Sequence, residues 1–307
     1  MLTLLSPLSA AAQAASTLHS PALVTCAAGG APYFSTYDPV THTLYIPNYA
    51  TANITILKAP CKAVGSIKTA TGGIPWAAAF NPSNDYVYVT DFHLNQVYVI
   101  KGTKILTTLN SGAFSKPMGI TYNPGEADMV VANSGWSNLT TISGTTITKS
   151  IAVGLGPNSV GYDPWDGTLL VSNGGNVTII ASAVNAFSSS HYSTKMYLPG
   201  PIAFDPADHL DYIVGGNSPN VTAMTGFGSI NATLKVGSYP VGVTFDQANL
   251  RIYVALSSSA AVIEISGLKI VKTIALGSGS APTGGITYSE YDDKVYVSGG
   301  YRMYEVP

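Results

Sequence analysis

The chain reads as an all-β protein, a seven-bladed β-propeller with four antiparallel strands per blade and a ring closed by its N-terminal strand. Three observations predict this. An aromatic followed by a turn recurs as Tyr37-Asp38-Pro39, Phe80-Asn81-Pro82, Tyr122-Asn123-Pro124, Tyr162-Asp163-Pro164, Phe204-Asp205-Pro206, Phe245-Asp246-Gln247 and Tyr288-Ser289-Glu290, at spacings of 43, 42, 40, 42, 41 and 43 residues. Five residues before the aromatic stands Pro32, Pro75, Pro117, Pro157, Pro199 or Pro240, with Pro282 displaced by one in the last copy. Eight residues after it comes Tyr45, Tyr88, Val130, Leu170, Tyr212, Tyr253 or Tyr296, followed every time by Ile or Val. A fixed period of this length marks a repeat architecture.

Each copy holds four β-type runs, which in the second are "WAAAF", "YVYVT", "QVYVI" and "KILTTL", joined by "NPSND", "DFHLN" and "KGT". Four strands in about 42 residues match a propeller blade. Parallel strands would need crossovers far longer than these loops. The last copy supplies "GGITY", "KVYVSG" and "RMYEVP", three strands only. Its fourth is sought in "HSPALVTCAAGGAP", so residues near 20 to 27 are predicted to pair with the last blade and remove the open edges. The propeller then covers residues 19–307, and residues 1–18 form a signal-like or N-terminal extension. That opening, "MLTLLSPLSAAAQAAS", carries a small-x-small site at Ala12-Gln13-Ala14 but no basic n-region. An upstream start, an incomplete leader and an ordered extension all stay open.

Charge is sparse: 14 Lys+Arg and 16 Asp+Glu make 10% of the chain, against roughly 25% in an average soluble protein. No basic face for nucleic acid follows from that. The 19 Tyr, 31 Gly and 19 Pro suit strands broken by tight turns. A fold with few ionised carboxylate pairs loses little when acid protonates them, which makes an acidic exterior a fitting habitat.

The hairpin "VYVTDFHLNQVYVI", with "LYIPNYATANITIL", "LLVSNGGNVTII" and "VYVSGGYRMYEV" in matching positions, resembles the YVTN β-propeller repeat. The signature is degenerate in "DMVVANSG", "DYIVGGNS" and "IYVALSSS". The resemblance implies a secreted or surface-layer type of propeller, and related rings serve as enzyme scaffolds.

Candidate sites are few. Asn53, Asn138, Asn176, Asn220 and Asn231 each begin an Asn-x-Thr triplet, the acceptor pattern for N-glycosylation in an exported protein. Four of them also fall where the repeat calls for a loop Asn and a strand Thr. Cys26 and Cys61 are the two cysteines, and the repeat register sets them a strand's length apart, which argues against a bond. "DPADHLD" and "DPWDG" gather carboxylates that could hold Ca²⁺, but an Asp after the aromatic reads better as a turn former. His19, His42, His93, His191 and His209 occupy unrelated repeat positions, and no zinc motif is present. Asp91 and His93 form a loop site of low standing, since Asp91 takes the slot of Asn48, Asn133 and Asn173. Channel-facing strands of Ala, Gly, Ser, Thr and Val suit a crowded axis and offer no acid, base or metal ligand. Tyr33, Phe34, Trp76, Trp136 and Trp165 are weighed as stacking platforms, with packing between blades favoured.

With no convergent catalytic constellation and no cofactor site, the expectation is a non-catalytic cell-surface propeller, a structural, adhesion or protein-interaction module of the envelope that meets a protein or glycan partner. The alternatives are a propeller-scaffold enzyme, lactonase-like or quinoprotein-like, and a soluble subunit of a membrane-associated complex docked by its disc face.

Overall fold

The computed structural model describes residues 23–183, 186–192, 199–277, 279 and 281–306, without side chains for 182–192. The signal-like segment 1–18 and His19 therefore lie outside the described residues. Seven four-stranded antiparallel sheets form in chain order, each running A, B, C, D from the axis outward. Blade 2 shows the pattern: Pro75–Asn81, Tyr86–Asp91, Gln96–Lys101 and Lys104–Leu109. The last blade takes Pro282–Ser289, Lys294–Gly299 and Arg302–Val306, and its outer strand is Thr25–Ala27, with Cys26 opposite Met303. The ring is closed as the sequence predicts.

The repeat aromatic ends strand A, and the residue after it makes the A-to-B turn. The Oδ1 atoms of Asp38, Asn81, Asn123, Asp163, Asp205 and Asp246 accept the amide two residues on, at 2.7 to 3.1 Å. The turn ends at positive φ in all seven blades, at His42, Asp85, Ala127, Gly167, His209, Leu250 and Asp293. Asn, Asp and His tolerate this left-handed conformation better than most side chains, which gives His42 and His209 a backbone role.

Strand B carries the buried pairs found at eight and nine residues after the aromatic; the seven pairs from Tyr45-Ile46 to Tyr296-Val297 are at most 2% exposed. The core lies between blades rather than within them. Ile54, Ile56 and Ile67 of blade 1 pack with Val87, Val89 and Ile100 of blade 2. Tyrosine tips continue the same joint: Tyr45 Oη donates to Gly102 O, Tyr88 Oη to Gly144 O and Tyr212 Oη to Gly267 O, at 2.7 to 2.9 Å, each reaching the C-to-D turn of the next blade.

Cys26 and Cys61 are bonded, with Cα atoms 5.0 Å apart, contrary to the expectation from the repeat register. That register compared positions within one blade, whereas the outer strand of each blade lies against the C-to-D turn of the next. Gly65 beside Thr103 shows the same contact between blades 1 and 2. The disulfide joins the last blade to the first, across the closure of the ring.

Candidate functional site

The B-to-C and D-to-A connections gather on one face of the disc, here the upper face, where strand A begins. In blades 2, 3, 5, 6 and 7 the pairing of strands A and B shifts register just after the leading proline. Such bulges re-aim side chains. The residue after six of the seven prolines, Tyr33, Trp76, Met118, Asn158, Gly200 or Val241, lines a cavity of about 480 Å³ at the upper mouth of the axis.

The sequence led us to expect a crowded axis, and this needs correction. The small residues let neighbouring strands A approach each other: a Cβ on Gly119 would fall 2.6 Å from Ser159 Cα. The axis itself stays open.

One wall of the mouth is aromatic. Tyr33 meets Phe34 edge to face at 4.7 Å and Trp76 at 4.5 Å, and Trp76 meets Phe92 at 5.2 Å and Tyr49 at 6.0 Å. The opposite wall, Asn158, Ser159, Gly200, Pro201 and Asn217, is small and polar. Trp76 Nε1 and Asn158 Oδ1 are buried without a hydrogen-bond partner. Both atoms are shielded even from a water molecule, so they sit behind the cavity surface rather than on it. Among the described lining residues only tyrosines ionise, and burial, then the charge of Tyr49, raises the pKa of Tyr33, so its phenol keeps its proton. This wall can stack a ring and donate hydrogen bonds.

Asp91 and His93 do not join that site. Asp91 is fully buried; its Oδ1 accepts Ile74 N, His93 N and Leu94 N at 2.9 to 3.2 Å, and its Oδ2 accepts Tyr98 Oη at 2.8 Å. Burial, then the hydrogen bond to Asp91, pushes the Tyr98 phenol up to about 12. His93 is exposed on the loop.

The Asn-x-Thr triplets have a structural basis in the same slot. Asn48, Asn133 and Asn173 donate Nδ2 to Thr55, Thr140 and Thr178, at 2.8 to 2.9 Å. Asn53 and Asn138 donate to Ser66 and Ser150, and Asn176 accepts from Asn173. Asn220 opens a strand half-buried, and Asn231 is exposed on an outer strand.

Of the tryptophans, Trp136 and Trp165 are exposed. Tyr33, Phe34 and Trp76 reach the cavity as well as packing between blades. Met118, Asn158 and Asn217 were not singled out by sequence reasoning. The signal for Met118 and Asn158 lay in the slot after the proline, which repeats in place but not in chemistry.

No family model matches the sequence, and no curated protein matches it. Among solved structures, the chain is similar to a streptogramin B lyase (TM-score 0.78, 14% identity, 92% of this chain and 96% of that one). It is similar to a catalytically inactive virginiamycin B lyase from Staphylococcus aureus with quinupristin (TM-score 0.77, 15% identity, 92% and 96%). A third is the hydrazine synthase of Kuenenia stuttgartiensis (TM-score 0.73, 18% identity, 92% and 96%). These neighbours are enzymes, and they correct the expectation of a non-catalytic surface module: the alternative reading, an enzyme on the propeller scaffold, fits them better. At these identities the likeness itself carries the fold, and this chain is a seven-bladed β-propeller.

Proposed function

We propose that the chain is a propeller-scaffold enzyme that takes an uncharged, ring-bearing small molecule into the upper mouth. The observation that carries this is a cavity large enough for a drug-sized ligand, with the aromatic faces of Tyr33, Phe34 and Trp76 on one side and the polar groups of Asn158, Ser159 and Asn217 on the other. Carbonyl and amide groups of a substrate complement the polar side, and Tyr33, Phe34 and Trp76 supply stacking faces. With neutral donors on the described wall, the chemistry within reach is polarisation of a substrate carbonyl or ring oxygen by the Tyr33 phenol. The lyase with quinupristin supports the reading as a precedent for this scaffold.

We also propose an oxidising compartment outside the cytoplasm; the closing disulfide supports this, since such bonds are rare in a reducing cytosol. The YVTN-like hairpins agree with export.

The test incubates purified protein with uncharged lactones and cyclic depsipeptides, with charged analogues as controls, and follows products by mass spectrometry. Conversion of an uncharged ring by the wild type, lost in Trp76→Ala and Asn158→Ala, is expected. Conversion that survives both substitutions, or no conversion of any ring, overturns the proposal.

A further inference from the structure

Opposite each repeat aromatic, strand B places a fully buried residue at the joint between blades. Six blades use Leu44, Val87, Met129, Leu169, Ile252 and Val295, each at most 2% exposed. Blade 5 puts Asp211 in that apolar slot, opposite Phe204 and 1% exposed. An aspartate there costs stability unless its charge is met or removed.

The neighbouring blade answers with more carboxylate. Asp211 stands within hydrogen-bond range of Asp163 in blade 4. Both oxygens of Asp211, Oδ2 of Asp163 and Oγ1 of the buried Thr168 have no partner. A Cβ on Gly226, in the C-to-D turn of blade 5, would lie 2.4 Å from Asp163 Oδ2 and 2.7 Å from both Asp166 Oδ2 and Thr168 Oγ1. Oxygens of Asp163, Asp166 and Thr168 thus gather at Gly226, two residues beyond Met224, the strand-C partner of Asp211. The titratable groups around Asp211 are Asp163, Asp166 and Tyr162 from blade 4, and Asp205, Asp208 and His209 from its own blade, with His209 stacked on Trp165 at 3.6 Å. The Lys149–Glu126 and Arg251–Glu264 ion pairs lie elsewhere.

Two carboxylates facing each other in a buried site do not both ionise. Among the described residues no three His, Cys, Asp or Glu side chains are arranged to hold a metal ion. We propose that blades 4 and 5 are joined by a proton held between the carboxyl groups of Asp211 and Asp163, and that this seam suits acidic surroundings, holding in acid and weakening as the pH rises. Asp211 is the acid and donates O–H to Asp163 Oδ2.

The electrostatics agree with the geometry. Burial, then the charge of Asp163, pushes the Asp211 carboxyl up to about 9. Asp166, Asp205 and Asp246 move the same way, each chiefly through burial. An unfolded aspartate ionises near pH 4. Between about pH 4 and 9 the folded chain therefore holds one proton more than the unfolded chain, and each added pH unit lowers the folding equilibrium constant roughly tenfold. The contribution is complete below that window and gone above it.

Denaturant unfolding at about pH 5 and pH 8 tests this on the wild type, Asp211→Asn and Asp211→Leu. The wild-type folding constant is expected to fall by up to roughly 10³-fold across the three units. Asp211→Asn keeps a donor facing Asp163 and should remove that dependence, as should Asp211→Leu, which restores the slot of the other blades. A wild type equally stable at both values, or variants with the same slope, overturns the proposal. So does a rise in wild-type Tm on adding Ca²⁺ or Mg²⁺ that Asp211→Asn lacks, since a cation would then fill the place of the proton. Should both variants fail to fold, infrared spectroscopy of the wild type at pH 7 decides: the carbonyl stretch of a protonated carboxylic acid is expected, and its absence contradicts the shared proton.

Discussion

The two mouths of the axial channel are built from opposite ends of the same seven strands, yet they differ in kind. At the lower mouth, Tyr37, Phe80, Tyr122, Phe204, Phe245 and Tyr288 repeat one chemistry, each half-buried against the joint of its blade. At the upper mouth, the slot after the proline holds Tyr33, Trp76, Met118, Asn158, Gly200, Val241 and Thr283, a mixture of aromatic, apolar, polar and glycine residues. A ring of seven similar blades needs the lower set to close. It does not need the upper set to be any particular residue, so the upper slot is free to serve a ligand. Repetition marks what the scaffold requires, and departure from it marks where the chain does something of its own. Asp211 is a second departure, at a joint rather than a mouth.

The comparison can be broken first at the ring that both mouths share. Replacing Cys26 and Cys61 with Ser frees a loop of 35 residues and should cost about 4 kcal/mol, seen as a lower unfolding midpoint and a loosening of both mouths alike. Next, Asp91→Ala removes the acceptor of four hydrogen bonds and is expected to cost about 3 kcal/mol, whereas His93→Ala on the exposed loop should stay within about 0.5 kcal/mol. Equal effects would return the pair to the list of active-site candidates. The sharpest contrast is between the mouths: Phe80→Ala should cost about 3 kcal/mol in chemical denaturation and leave ligand affinity unchanged. Trp76→Ala should cost about 1 kcal/mol and lower affinity at least tenfold.

The fold was legible because every blade obeys the same constraint. An aromatic at the end of strand A, an Asx turn and a buried pair in strand B can be counted without knowing their contacts, and the missing fourth strand of the last copy pointed to Thr25–Ala27. What crosses from blade to blade was not legible. The bond between Cys26 and Cys61 and the meeting of "DPWDG" with "DPADHLD" at Asp163 and Asp211 depend on how far adjacent blades overlap, which a one-dimensional period does not contain. The cavity was missed for a related reason. Small residues on strand A read as filling the axis, while Gly119 spends its missing side chain on the neighbouring strand. Asp91 holds its loop by accepting backbone amides, whereas Asn48, Asn133 and Asn173 in the same slot donate to a threonine of strand C.

The most direct measurement follows Trp76 alone. With Trp136 and Trp165, both exposed, replaced by Phe, emission comes from the upper mouth only. Titration with an uncharged cyclic depsipeptide or lactone should shift and saturate that emission, and Asn158→Ala in the same background should weaken the apparent affinity about tenfold, the cost of leaving one polar group unmet. An emission that no uncharged ring alters, or an affinity that Asn158→Ala leaves intact while Phe80→Ala abolishes it, would place the ligand elsewhere and contradict the account.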